Sequence, residues 1–217
     1  MDRRYALGVI GAAAVIGGAL TLTKRSDGLP PMAALAEGEG VDTSSVVEMA
    51  LGAEDAKVTL IEYASYTCPH CATFHNGPLK KIKEEYVETG KVRFIYRDVY
   101  FDRPGLWAAL VARCDPSKFF GISDLLYGDQ KAWVGSGDPA GIVENLRKIG
   151  RIAGLTEEQL DTCLSDGTRA QTLYTWFQDN AKADDIDSTP SLILNGKKHS
   201  NMSYTDLKTL LDEALEA

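Results

Sequence analysis

The chain has 217 residues, the size of one domain or of one domain carrying an insertion. Its 44% hydrophobic and 25% charged residues are ordinary for a globular protein and exclude disorder, collagen and coiled coil as the main architecture. A formal net charge of −8 offers no electrostatic footprint for nucleic acid or anionic lipid, and four cysteines are too few for a small disulfide scaffold.

Residues 1–40 do not read as part of a fold. Arg3 and Arg4 precede an uncharged apolar run over residues 6–22, which Lys24 and Arg25 close. The run is at the lower limit for a membrane span and slightly long for a signal-peptide core. Two readings stay open: a cleaved export signal with Ala34-Leu35-Ala36 as its small-residue site, or an uncleaved N-terminal membrane anchor followed by a flexible linker. Both place the folded part outside the cytoplasm.

Residues 44–51 carry a weak pattern, helical or edge strand. Residues 57–64, KVTLIEYA, are apolar on both faces, as expected of a central strand covered on both sides. Glu62 interrupts that run. Residues 71–87 predict a helix with Phe74, Leu79, Ile82 and Tyr86 inward and a kink at Pro78, ended by Gly90. Residues 92–99 predict a second strand.

From residue 104 to 183 the pattern is helical only. Asp138-Pro139 is an N-cap followed by proline at the first helical position. Thr156 and Gln159 form a capping box, with Leu155 and Leu160 placed as a hydrophobic staple. Leu173, Trp176 and Phe177 belong to the last helix of this block. Ser191–Leu194 then reads as a strand, Asn195-Gly196 as a hairpin turn, and residues 204–215 as a closing amphipathic helix.

Cys68-Pro69-His70-Cys71 follows the first central strand and opens a helix. A thiol must ionise to attack a disulfide, and a helix N-terminus supplies unpaired N–H groups and positive dipole for a thiolate. Cys68 is therefore the expected nucleophile and Cys71, one turn in, the buried resolving thiol. His70, when protonated, adds positive charge near the Cys68 sulfur, and Pro69 limits the freedom of the turn. A structural zinc site needs four protein ligands, which His70 and His75 supplement awkwardly; His75 reads as a solvated or packing helix residue. Strand-CxxC-helix context favours redox chemistry, with no metal and no cofactor beyond the Cys68–Cys71 disulfide.

Glu62 six residues before Cys68, the CPHC motif, the helix with Pro78, the helical insertion and Thr189-Pro190 before a strand together resemble the DsbA family, exported bacterial thiol oxidases. The resemblance covers residues 42–217. It implies an α/β thioredoxin fold with an inserted all-helical domain: residues 41–101 and 184–217 thioredoxin-like, 102–183 the insertion. It implies Cys68 as the attacking sulfur, Cys71 as its partner, His70 as thiolate stabiliser and Glu62 as a buried acid below the pair. It further implies a cis Pro190 facing the active site, with Pro69, Thr189 and Pro190 as substrate-facing positions. The expected activity is donation of the Cys68–Cys71 disulfide to reduced exported proteins in the periplasm by a monomer, with a membrane quinone-linked partner as re-oxidant. A reductase or isomerase on the same fold, and a non-catalytic dithiol metal-binding module, are the rival readings.

A Glu in a two-sided apolar strand is costly when ionised, so a raised pKa is expected for Glu62, with proton exchange with Cys71 as its role; the alternative is a Glu pointing to solvent at an edge. Cys114 and Cys163 fall on apolar stripes of the helical block. They are either two independent buried thiols or, in an oxidising compartment, a structural disulfide with no catalytic part.

Overall fold

The computed structural model describes residues 40–135 and 137–217. The N-terminal signal or anchor expected over residues 1–40 lies almost wholly outside the described residues. Among the described residues no helix is long and apolar enough to cross a membrane.

Five strands form one sheet in the order β1-β3-β2-β4-β5: β1 Met49–Leu51, β2 Val58–Ala64, β3 Val92–Asp98, β4 Ser191–Leu194 and β5 Lys197–Ser200. The central strands β2 and β3 run parallel, with Glu62 opposite Tyr96. β1, β4 and β5 are antiparallel additions, and Leu192 of β4 lies on the other side of Glu62. The open reading of residues 44–51 resolves as the edge strand β1. The β4–β5 turn has positive φ at both Asn195 (46°) and Gly196 (82°), the requirement of a two-residue hairpin whose twist matches its strands.

The helix expected over residues 71–87 is three segments. α1 (Pro69–Asn76) starts two residues earlier, with proline at its first position, where the missing N–H breaks no bond. It stops at Gly77, whose φ of −125° and ψ of −89° leave the helical region. Pro78 cannot donate to the Phe74 carbonyl four residues back, so α2 (Pro78–Ile82) begins afresh there and passes into a π turn, Lys83–Val87. Phe74, Leu79, Ile82 and Tyr86 are buried as the periodicity requires.

Between β3 and β4 stand α3 (Arg103–Ala112), a 3-10 turn (Pro116–Lys118), α4 (Phe119–Gly128), α5 (Gln130–Val134), α6 (Pro139–Ile152), α7 (Glu157–Ser165) and α8 (Gly167–Ala183). Asp138 caps α6 by accepting from the Ala140 and Gly141 N–H groups. Thr156 and Gln159 form both halves of the capping box of α7, and Leu155 and Leu160 are buried beside it. The final helix is α9 (Tyr204–Glu216). One apolar cluster runs from Val58, Leu60 and Phe94 in the sheet to Phe119, Leu126 and Trp133 in the helical block.

A buried ion pair ties block to sheet: Arg113 Nε, after α3, donates to Asp98 Oδ2 at the end of β3 at 2.6 Å. Arg113 Nη1 also donates to the Val47 carbonyl before β1. Burial pushes the Asp98 carboxyl above its usual range despite the guanidinium.

Candidate active site

β2 delivers the chain into the turn 65–68. There the Cys68 N–H donates to the Ser65 carbonyl at 3.1 Å. The turn is then held from the helical block. Buried Gln130 of α5 donates through its amide nitrogen to the carbonyls of Tyr66 (2.8 Å) and Cys68 (2.9 Å). Thr67 Oγ1 donates to Asp102 Oδ2 at 2.8 Å, while the other oxygen of Asp102 caps α3 at the Gly105 N–H. The Tyr66 hydroxyl meets the Ser123 hydroxyl of α4 at 2.7 Å.

Cys68 stands at the N-cap of α1 with no side-chain cap of its own, so its sulfur occupies the place where the first N–H groups are unpaired. It is a half-buried free thiol, and Cys71, one turn on, is a fully buried one. The two behave in opposite ways. The Cys68 thiol is lowered to about 5: the Cys71 S–H donates to its sulfur, and the Thr189 contact and the N–H groups of Cys71 and His70 add to this against the cost of burial. Burial first, then the Cys68 sulfur and the Glu62 charge, push the Cys71 thiol far upward. At neutral pH one sulfur is thiolate and the other thiol, the asymmetry that directs attack through Cys68. His70 contributes through its backbone; its imidazole and Pro69 are exposed.

The Thr189–Pro190 peptide is cis, and the Thr189 carbonyl lies 3.5 Å from Cys68 Sγ, accepting its S–H when Cys68 is protonated. Pro190 is buried and leads into β4, so this loop lies against the nucleophile. On the far side of the motif, a groove of about 660 Å³ is lined by Pro69, Thr73 and Asn76 of α1 and by Tyr127, Gln130 and Lys131.

Glu62 is fully buried, as its strand required, but it is not the unpaired acid that the sequence led us to expect. His75 Nε2 lies 2.9 Å from its Oε2. His75 is likewise buried, the packing alternative of its two readings. The correction has a plain cause: α1 places His75 one turn beyond Cys71, so both side chains fall on the face that covers β2. Cys114, just after α3, and Cys163 of α7 form a disulfide with Cα atoms 5.7 Å apart; they are not two independent thiols. This bond closes a loop of 49 residues within the helical block.

A family model described as Thioredoxin matches residues 44–213. The chain belongs to the thioredoxin family. Within the family its likeness is to DsbA-type proteins. A Rickettsia bellii protein provisionally named a protein-disulfide oxidoreductase is 33% identical over 171 residues, covering 78% of this chain and 65% of that protein. Disulfide bond formation protein D of Bacillus subtilis is 27% identical, covering 76% of each. The chain spans 60–65% of the length of the Rickettsia relatives it matches. The fold is shared with Wolbachia pipientis alpha-DsbA1, at TM-score 0.71 and 24% identity over 78% of this chain and 91% of that one. It is shared equally with oxidised BdbD of Bacillus subtilis, at TM-score 0.70 and 24% identity over 78% and 94%.

Sequence reasoning missed four residues of this thioredoxin-family site: Gln130, Asp102, His75 and Tyr127. Asp102 had a local signal, an Asp one residue before Arg103-Pro104 where a capped helix starts. Gln130 had none, because a single polar residue in a short helix is indistinguishable from a solvated one until its neighbours are known.

Proposed function

We propose that this chain is an exported protein thiol:disulfide oxidoreductase that works in the oxidising direction. The observation that carries the reading is the split between the two thiols: Cys68 lowered to about 5 at the helix start, and Cys71 buried and pushed upward. A stabilised Cys68 thiolate stabilises the reduced pair, and a stable reduced pair is an oxidising couple. The names of the Rickettsia and Bacillus relatives agree with thiol–disulfide exchange.

In the proposed cycle a thiolate of a reduced exported protein attacks the Cys68 sulfur of the oxidised pair. The Cys68–Cys71 bond breaks, a mixed disulfide forms on Cys68, and the electron pair leaves with Cys71. A second thiolate of the same substrate attacks the substrate sulfur of the mixed disulfide. An oxidised product departs, and Cys68 leaves as the thiolate its surroundings favour. The Thr189 backbone, in contact with Cys68, lies where an extended substrate strand pairs by main-chain hydrogen bonds, a mode that tolerates many sequences. A membrane quinone-linked protein restores the disulfide, and the enzyme acts as a monomer in the periplasm.

The test is the equilibrium of the Cys68–Cys71 pair against glutathione. We expect a potential toward the oxidising end, nearer to about −120 mV than to about −270 mV. A thioredoxin-like value would replace this reading by a reductase.

A further inference from the structure

Between the segment that leads into β1 and the start of α8 lies a cavity of about 340 Å³. It shares no lining residue with the Cys68–Cys71 motif, the Thr189–Pro190 loop or the groove beside α1. One wall is cationic. Arg113 is buried there, with Nε given to Asp98 and Nη1 to the Val47 carbonyl. Its Nη2 is buried without a protein hydrogen-bond partner among the described residues. The Phe119 and Trp176 rings, 5.3 and 5.5 Å from Arg113 Cζ, supply no acceptor oxygen. An unmet buried donor on a charged group is costly, so the position calls for an acceptor that the chain itself does not bring. Arg169 of α8 lines the same wall. It donates through Nη2 to the Arg113 carbonyl, and its guanidinium has no ion pair among the described residues. Burial and the Arg113 charge pull its pKa below the usual value, the mark of two cations held side by side. The facing wall is apolar, from Val46, Val47, Met49 and Leu173. Val47 is 56% exposed, although its carbonyl is tied down by Arg113.

We propose that this cavity binds a small organic monocarboxylate with a short, branched apolar body. Arg113 Nη2 and the Arg169 guanidinium supply donors for the carboxylate, a planar group that matches a guanidinium fork. α8 is 17 residues long, and the positive end of its dipole falls on the same side of the cavity. The apolar body lies against Val46, Met49 and Leu173 and covers the exposed side chain of Val47. A volume of about 340 Å³ is at the small end of ligand sites, which suits a body of a few carbons. The charge balance sets the valence. Asp98 is bonded to Arg113, and Asp166, which also lines the cavity, gives Oδ1 to the Arg169 N–H that it caps. Two guanidiniums against two carboxylates leave the cavity near neutral. One negative charge is then accommodated and a second is repelled, so a dianion such as sulfate is a poor ligand. The site stands apart from thiol exchange, since none of its residues belongs to the machinery assigned above.

The test titrates isovalerate, its neutral isostere isopentyl alcohol, and sulfate into the protein by calorimetry, and follows amide hydrogen exchange over residues 45–47. We expect one saturable isovalerate site and slower exchange in that segment when it is filled. Isopentyl alcohol and sulfate should each bind about tenfold or more weakly, the first for want of charge and the second for want of an apolar body. Arg169→Gln removes the charge of one fork. Val47→Glu places a carboxylate beside the apolar wall and keeps the backbone bond from Arg113. Each should weaken isovalerate by about tenfold or more, with thermal melts establishing that the variants are folded. Absence of a saturable isovalerate site overturns the proposal, as does unchanged exchange over residues 45–47. Binding of isopentyl alcohol or sulfate as tight as that of isovalerate overturns it too. Should Arg169→Gln fail to fold, Val47→Glu decides: wild-type affinity for isovalerate overturns the site, and the tenfold loss upholds it.

Discussion

Replacing Cys71 by Ala removes the largest single cause of the low Cys68 pKa, the S–H donated to the Cys68 sulfur. A hydrogen bond to a charged group contributes about 1.5–3 kcal/mol, and a thiol is a weak donor, so the lower figure applies. At about 1.4 kcal/mol per unit, Cys68 should titrate about one unit higher, near 6 instead of about 5. With Cys114 and Cys163 bonded, Cys68 is then the one titrating thiol, and its thiolate absorbance in the ultraviolet reads the shift directly. An unchanged midpoint would refute the reasoning, as would a wild-type Cys68 titrating at the free-cysteine value of about 8.5. The same thiolate sets a stability difference. The group's folded pKa is depressed, so its contribution is complete above about pH 8.5 and is lost as pH falls through about 5. At pH 7 the part already gained, the two units between about 5 and 7, corresponds to about 2.7 kcal/mol, reduced to roughly 1.4 for screening at a half-exposed sulfur. That is about 30 mV in favour of the reduced pair. Reduced protein should therefore melt above oxidised protein at neutral pH, and calorimetry should show the gap closing on acidification toward pH 5.

Replacing both Cys114 and Cys163 by Ala opens a loop of 49 residues, which the chain-entropy argument puts at about 4 kcal/mol. The melting temperature should fall while a folded variant keeps thiol exchange; loss of exchange in folded protein would give the bond a redox role. Gln130→Ala leaves the buried carbonyls of Tyr66 and Cys68 without their donor. It should cost about 1–3 kcal/mol by denaturant unfolding and increase hydrogen exchange in the turn 65–68; unchanged protection there would mean the contacts do not hold the turn. Arg113→Met strands the Asp98 carboxylate, at a cost of about 3–5 kcal/mol at neutral pH. The Asp98 pKa is already raised, and an acid raised by burial is favourable to folding only when protonated. The deficit should shrink as pH falls toward about 4, and a pH-independent deficit would place the loss elsewhere.

Much of the fold was local and so was legible. The two-sided apolar run of residues 57–64 marks a strand covered on both faces, and the alternation in residues 92–99 marks a second, because side chains on a strand point to opposite faces every other residue. Asp138-Pro139, the Thr156–Gln159 box and Asn195-Gly196 each act within four residues, and all three stand where their chemistry predicts. The single helix of residues 71–87 did not survive, because the apolar periodicity persists through Gly77 and Pro78 while the backbone hydrogen bonding does not.

What the sequence by itself determined is the reactive pair: two cysteines at the start of a helix, after a strand too apolar to be exposed. That is a property of neighbours along the chain. The burial of Cys71 and the distant polar contacts around the pair were decided only by tertiary structure. His75 lies 13 residues from Glu62, Gln130 lies 62 from Cys68, and Thr189 lies 121 from Cys68. No periodicity encodes which distant polar group a buried carboxylate, a turn carbonyl or a half-buried thiol will meet. Those partners are set by how α1, α5 and the loop before β4 pack around β2; the motif itself supplies the Cys71 S–H and the N–H groups that lower Cys68, and packing supplies the burial that drives Cys71 up.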